Sequence, residues 1–163
     1  MEFEKLGDLL LDEIITKLEG NQGLSIFAKT RAKFEGWLKV ECCGILSNHF
    51  SYVAPEKDWF DIVFDNWAIE LKTVNTNYRY EKAENKIRPI TKNVQGVIDD
   101  IEKLKSSRHI NKAALFVVFP VTHDHEKWQK HLQKIYVMVR EIKFKEFKFK
   151  GGLPGVIYFV LIR

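Results

Sequence analysis

The chain has 163 residues, 45% of them hydrophobic and 13% aromatic, which is enough for one globular domain with a sizeable core. Lys and Arg number 26 against 22 Asp and Glu, and the resulting charge of +4 suits nucleic acid or an acidic surface as partner without requiring either. The two cysteines, Cys42 and Cys43, are adjacent, which excludes an ordinary loop-closing disulfide and a zinc pattern and points to a reducing compartment.

No apolar run approaches the length of a membrane span, and the opening MEFEKLGDLLLDEI is interrupted by acids where a signal peptide is continuously apolar. The expectation is a cytoplasmic protein without a membrane partner, a single domain over residues 1–163 with no repeat or dividing linker. Phe3, Leu6, Leu9, Leu10, Ile14 and Leu18 recur at helical spacing, and the Gly20, Asn21, Gly23 cluster stops that helix. A second helix is expected from Ser25 to about Gly44, turning Phe27, Phe34, Trp37 and Leu38 inward, and a short strand from Phe50 to Val53. WFDIVF and WAIELKTV then read as two alternating strands, joined at Asp65 and Asn66, residues that accept the positive φ of a tight turn.

The segment from Asn75 to Pro89 is polar and reads as a loop or lid. Ile90, Val94, Val97, Ile98, Ile101 and Leu104 form the apolar stripe of a helix, and AALFVVFPV has the continuous apolar character of a buried strand, so strand, helix and strand suggest a crossover. A short helix is expected over Glu126 to Ile135. EIKFKEFKFK and VIYFVLIR, separated by GGLPG, read as a C-terminal hairpin with a bulge at Glu146, where the Lys/Phe alternation slips.

Chemistry concentrates in the first hairpin. With Asp65 and Asn66 as turn residues, Phe64 opposes Trp67, Val63 opposes Ala68, Ile62 opposes Ile69, and Asp61 opposes Glu70. Two carboxylates placed opposite each other repel unless something offsets them, and a divalent cation would do so. The other face, Phe60, Ile62, Phe64, Trp67, Ile69 and Leu71, resists slippage because one step would put that apolar set into water. Lys72 lies two residues beyond Glu70, on the same face. Carboxylates can hold Mg2+, the metal acidifies a bound water, and a cation meets charge developing on phosphorus. The plain alternative is that Glu70 and Lys72 are an exposed pair on a half-solvated strand.

These residues, with Glu35 in KTRAKFEGWLKV, resemble the PD-(D/E)xK nuclease superfamily, which carries a glutamate on the first core helix, an aspartate on the second strand and an ExK on the third. Glu35, Asp61, Glu70 and Lys72 match those positions; the usual proline before the aspartate is replaced by Phe60. The resemblance spans about residues 25 to 120 and implies an α/β (α+β) restriction endonuclease-like fold. That fold has an αβββαβ core whose mixed central sheet is flanked by helices, to which residues 1–20 add a helix and residues 141–163 a hairpin. It further implies Mg2+-dependent hydrolysis of DNA, duplex or branched, with Mn2+ as a substitute metal and a homodimer as a natural assembly. Metal ligation would fall to Asp61, Glu70, Leu71 and Glu35, and Gln95 on the crossover helix would orient water or phosphate.

Each assignment has a bland counterpart: a solvated acid paired with Arg31 for Glu35, and a wet helix flank for Gln95 and Lys92. Arg79, Lys82, Lys86, Arg88 and Lys92, interleaved with Tyr78 and Tyr80, are the expected nucleic-acid contacts. His123, Asp124, His125 and Glu126 resemble metal ligands by type but lack a recognisable spacing, and Lys143, Lys145, Lys148 and Lys150 read as the wet face of a strand. The function expected is an endonuclease of restriction, repair or junction-resolving type. The alternative is an inert nucleic-acid-binding or scaffolding module with the same fold.

Overall fold

The computed structural model describes all residues, Met1–Arg163. Three helices come first, α1 (Phe3–Gly20), α2 (Gln22–Thr30) and α3 (Glu35–Ser47), followed by β1 (Val53–Lys57), β2 (Phe60–Phe64) and β3 (Trp67–Asn75). Helix α4 (Ile90–Lys105) joins β3 to β4 (Asn111–Phe119), and α5 (Glu126–Tyr136) precedes β5 (Val139–Lys148) and β6 (Pro154–Ile162). The protein is thus mixed α/β, with one six-stranded sheet in the order β1-β2-β3-β4-β6-β5. Only β3 and β4 are parallel, and α4 supplies the long connection that a parallel pair needs.

The sheet separates two apolar layers, which is why β3, β4 and β6 read as nearly continuous hydrophobic runs. On one side Leu6, Leu10 and Ile14 of α1 and Leu38 and Leu46 of α3 pack with Ile69, Leu115 and Phe159. On the other, Val94, Val97 and Ile101 of α4 and Trp128 and Leu132 of α5 pack with Ala68, Phe116 and Tyr158. Odd and even positions of β4 divide cleanly between the layers, as the period of a strand requires.

The helix expected from Ser25 to Gly44 is two helices. Arg31 ends α2 in the left-handed conformation, φ 57° and ψ 32°, which a continuous helix cannot contain. Its side chain explains the break. The guanidinium is buried, 1% exposed, and donates to the carbonyls of Glu84 at 2.8 Å, Thr76 at 2.7 Å and Tyr78. Asn75 Nδ2 donates back to the Arg31 carbonyl at 2.7 Å, so the end of β3 and the loop after it are tied to the α2–α3 corner. Phe27, expected inward, is instead an exposed residue of α2.

Other boundaries differ for local reasons. The strand expected at Phe50–Val53 starts at Val53, while Phe50 packs its ring 4.7 Å from that of Phe64. In the β2–β3 turn only Asp65 takes positive φ, 44°, and Asn66 does not. The bulge expected at Glu146 is absent; β5 and β6 pair without interruption from Glu141 to Lys148, and the irregularity lies between Val139 and Glu141. The alternation slips because Lys143 and Lys145 point to α1, where they pair with Glu4, Asp8 and Asp12. These two lysines are therefore not part of a free basic face, although Lys148 and Lys150 are exposed.

Removing the Arg31 guanidinium leaves three carbonyls without their donor. Arg31→Met keeps much of the apolar volume but is expected to lose ~3–5 kcal/mol in urea unfolding, the loss seen when one partner of a buried charged network is deleted. A loss under ~1 kcal/mol would mean that the loop finds other donors.

Candidate active site

The β2–β3 hairpin has the expected register for three pairs, Phe64 opposite Trp67, Val63 opposite Ala68 and Ile62 opposite Ile69. The expected fourth pair, Asp61 opposite Glu70, is not part of the ladder, because the Asp61 side chain accepts from the Leu71 N–H instead. The ladder stops there, and β3 continues to Asn75. On the edge that β2 leaves, the N–H groups of Leu71 and Thr73 have no strand partner, and buried N–H groups require one. Two carboxylates supply it. Asp61 Oδ2 accepts from the Leu71 N–H at 2.8 Å, and Glu35 Oε1 accepts from the Thr73 N–H at 3.1 Å and from Thr73 Oγ1 at 3.4 Å. The alternative pairing of Glu35 with Arg31 does not occur, since Arg31 is engaged with carbonyls.

Asp61 lies where β2 loses its alternation. Phe60, expected beside Ile62, belongs instead to the α4 layer, with the Lys103 ammonium 5.2 Å above its ring and the His109 ring edge-on at 5.8 Å. Asp61 Oδ1 meets Lys39 of α3 at 2.7 Å. Lys39 is one helical turn beyond Glu35, so one face of α3 brings an acid to Thr73 and an ammonium to Asp61.

Glu70 and Lys72 face α4, as their shared parity requires. Glu70 is 4% exposed and pairs with Lys103; Lys72 Nζ lies 3.0 Å from Asp100 Oδ2. The stem of Lys72 crosses α4 at Gly96, where an added Cβ would meet Lys72 Cε at 3.4 Å. Gly96, Asp100 and Lys103 are spaced at helical intervals, so one face of α4 serves both β3 residues.

The electrostatics follow from burial and contact. Burial pushes the Glu70 carboxyl up to about 8, the hydrogen bond with Asp61 adds to the rise, and Lys103 opposes it. For Asp61 burial also favours the neutral form, but its bonds with Glu70, Lys39 and the Leu71 N–H outweigh that and hold it below the usual carboxylate range. Within the pair Glu70 is thus the member that favours its protonated form and Asp61 the member that favours its charged form. Burial would lower the Lys72 pKa; the Asp100 carboxylate, helped by Glu35 and Asp61, prevails and raises it. Asp100 itself is raised by burial, with Lys72 opposing.

Glu35, Asp61, Glu70 and Lys72 therefore meet along β3 residues 70–73, but not as bare groups. Lys39, Asp100 and Lys103 complete the cluster and were missed in the sequence. Their signal was available in part: Lys39 follows Glu35 by one turn, and Asp100 and Lys103 flank the apolar stripe of α4. No three His, Cys, Asp or Glu side chains converge to hold a metal ion. The oxygens that a hard cation could use are those of Asp61, Glu70 and the Leu71 carbonyl, which projects from the same strand edge as the Leu71 N–H. Glu35 is committed to Thr73.

Gln95 is not brought to this cluster; its amide donates to Asp99 Oδ1 at 2.9 Å on the exposed side of α4, where Lys92 also lies. Arg79 and Lys82 are exposed, Lys82 reaching the Gly151 carbonyl at 3.1 Å. Lys86 pairs with Glu84 at 3.0 Å, and Arg88 keeps a buried Nε without a partner. His123 bonds Tyr158 Oη through Nδ1 at 2.8 Å, and His125 stacks on Tyr78, so these histidines pack separately. Comparison of the chain with protein-family models, with curated proteins and with solved structures gives no match.

A carboxyl raised to about 8 binds a proton in the folded state that the unfolded chain releases above about 4.5. Stability should therefore fall as pH rises through that window. Glu70→Gln is expected to melt with wild type near pH 5 and above it beyond pH 8, by on the order of 3 kcal/mol across the window. Parallel melting curves for both proteins at every pH would remove the buried proton.

Proposed function

We propose that the protein is a metal-dependent nuclease with a restriction endonuclease-like core, acting on DNA with Mg2+ or Mn2+. The observation that carries this reading is the convergence of Glu35, Asp61, Glu70 and Lys72, from α3, β2 and β3, on one open stretch of strand edge. The run α3, β1, β2, β3, α4, β4 also has the αβββαβ order that such a core requires, with helices on both faces of a mixed sheet.

The donor chemistry fits a hard divalent ion. Burial, with Asp61 beside it, favours the protonated form of Glu70, and an oxygen-bound cation is another way to offset two neighbouring buried carboxylates. Asp61, Glu70 and the Leu71 carbonyl would hold it, with Lys39 and Lys103 yielding their contacts to the two carboxylates. A bound divalent ion would lower the pKa of water and neutralise phosphate charge. Hydrolysis adds the water oxygen to phosphorus and breaks the bond to one sugar oxygen, which takes up a proton. Lys72 would place its ammonium against the charge that develops on phosphorus, and Asp100 keeps that ammonium protonated and aimed across Gly96. Glu35 would hold Thr73, and with it the strand that carries Glu70 and Lys72, in register.

One observation favours the alternative, an inert binding module. Asp61 and Lys72 already have opposite charges in Lys39 and Asp100, and Glu70, its pKa raised by burial, is held by Lys103, so the cluster is satisfied without a further ion. The nuclease reading requires metal and phosphate to displace these partners. It therefore makes the metal the decisive variable.

At pH 8, millimolar Mg2+ or Mn2+ is expected to raise the wild-type melting temperature by preferential binding to the native state and to leave Glu70→Gln unmoved. Equal responses of both proteins would place any bound metal elsewhere. In single-turnover assays at saturating metal and enzyme, Lys72→Ala should keep DNA affinity and cut at least about a hundredfold more slowly, because its contact forms in the transition state. Lys72→Arg should recover little, since a planar guanidinium does not replace a compact ammonium. Wild-type protein that fails to cut linear, nicked, branched or single-stranded DNA with either metal would leave the inert module standing.

The exposed Arg79, with Lys86 and Arg88 on the same loop, is the proposed path of the DNA backbone beside the site. Replacing all three by Gln should flatten the slope of log affinity against log salt by roughly two to three, as each lost phosphate contact releases fewer counterions. An unchanged slope would move the path to another surface.

A further inference from the structure

The β1–β2 turn is made by Asp58 and Trp59, with φ 54° and 71°. Left-handed backbone at both central residues is normal for Asn and Gly in a tight hairpin and strained for a large aromatic residue. The tryptophan gains no burial in return, being 90% exposed. An indole held in an unfavourable backbone conformation and displayed to solvent suggests a contact that the isolated chain does not make.

Beside it lies a cavity of about 480 Å³, between this turn and the connection from α4 to β4. Trp59 and Phe60 form its aromatic side; Lys103, Arg108 and His109 form its basic side. Asp58 supplies the one acid, and it faces His109 at 3.6 Å. Lys103 belongs to two places at once, lining the cavity and bonding Glu70. The cavity therefore adjoins the β3 cluster through a single side chain.

An aromatic plane with cations around it and little negative charge is the chemistry that receives a nucleobase and the phosphate attached to it. We propose that this cavity is a binding subsite for an unpaired nucleotide next to the scissile phosphate, with the Trp59 indole stacking on the base and Arg108 meeting its phosphate. The proposal rests on the nuclease reading and sharpens its substrate class, to strands with an unstacked base at the cut. A base inside an intact duplex has both faces covered by its neighbours and could not offer one to the indole.

The test separates binding from cleavage by working without metal. Short oligo(dT) and oligo(rU), and a blunt DNA duplex, are titrated against wild type, Trp59→Asn, Trp59→Phe and Arg108→Gln in chelator, with indole emission and anisotropy as readouts. Single strands are expected to quench wild-type emission. Trp67 and Trp128 are buried and Trp37 is partly exposed, so loss of the emission change in both Trp59→Asn and Trp59→Phe assigns it to Trp59 and its persistence assigns it to Trp37.

Trp59→Asn should lose that quenching and bind single strands about tenfold more weakly, as loss of one base–aromatic stack implies. It should also melt higher than wild type, since Asn suits left-handed backbone, so a binding defect cannot be laid to misfolding. Trp59→Phe should bind nearly as wild type, and Arg108→Gln should reduce the salt slope by about one. The two single strands separate a DNA from an RNA ligand, and quenching by either one supports the subsite.

Unchanged affinity of Trp59→Asn for both single strands overturns the proposal, even if the protein cuts DNA. Equal quenching by the blunt duplex does so as well. Sedimentation that shows a dimer dissociated by Trp59→Asn, without quenching by nucleic acid, makes the indole a protein contact and also overturns it. Quenching with the expected losses, in a protein that cleaves nothing when metal is restored, keeps the subsite and removes the nuclease reading.

Discussion

The arrangement of this protein depends on where β2 stops pairing with β3. Up to Ile62 and Ile69 the two strands satisfy each other, and beyond that point β3 keeps one edge to itself. A buried N–H left without an acceptor costs about as much as a lost hydrogen bond, so the chain must find acceptors for Leu71 and Thr73. It uses carboxylates from two different elements, Asp61 at the start of β2 and Glu35 at the start of α3. The opened edge thereby gathers acids, and these acids attract Lys39 and, with Glu70, the proton that burial places there.

The cluster combines a fixed backbone with side chains held by partners from other elements. The backbone is held on its far side by the full parallel ladder with β4, and the loop beyond β3 is anchored by Arg31. The side chains, by contrast, hold one another through ion pairs whose partners come from the flanking helices α3 and α4. Under the nuclease reading proposed above, these side chains would exchange partners for a cation and a phosphate while the strands stay in place.

The two layers also serve different ends. On the α1 and α3 side the sheet is covered by a broad apolar cluster, and Lys143 and Lys145 are drawn onto α1 by its acids. On the α4 side the coverage thins toward the β1–β2 turn, where Phe60 crosses into that layer and Trp59 is left in solvent. The departure of β2 from regular alternation thus has two results: Asp61 lies along the strand edge, and an aromatic wall stands beside it.

Strong local patterns in the sequence were enough to determine most of the elements and one register. The alternation of Ile62, Val63 and Phe64 with Trp67, Ala68 and Ile69, around a turn at Asp65, leaves a single pairing that buries both faces, and the stripe of α4 allows a single helix face inward. The shared face of Glu70 and Lys72 was legible for the same reason, since parity along a strand is a local property, whereas the cross-strand pairing of Asp61 with Glu70 was not kept. What the tertiary structure alone decided are the long-range partners. The break at Arg31 depends on carbonyls 45 to 53 residues away, and the pairings of Lys39, Asp100 and Lys103 depend on how α3 and α4 lie across the sheet. Local propensity acts over a few residues, whereas an ion pair is selected by distance in space, and that distance exists only once the layers have packed.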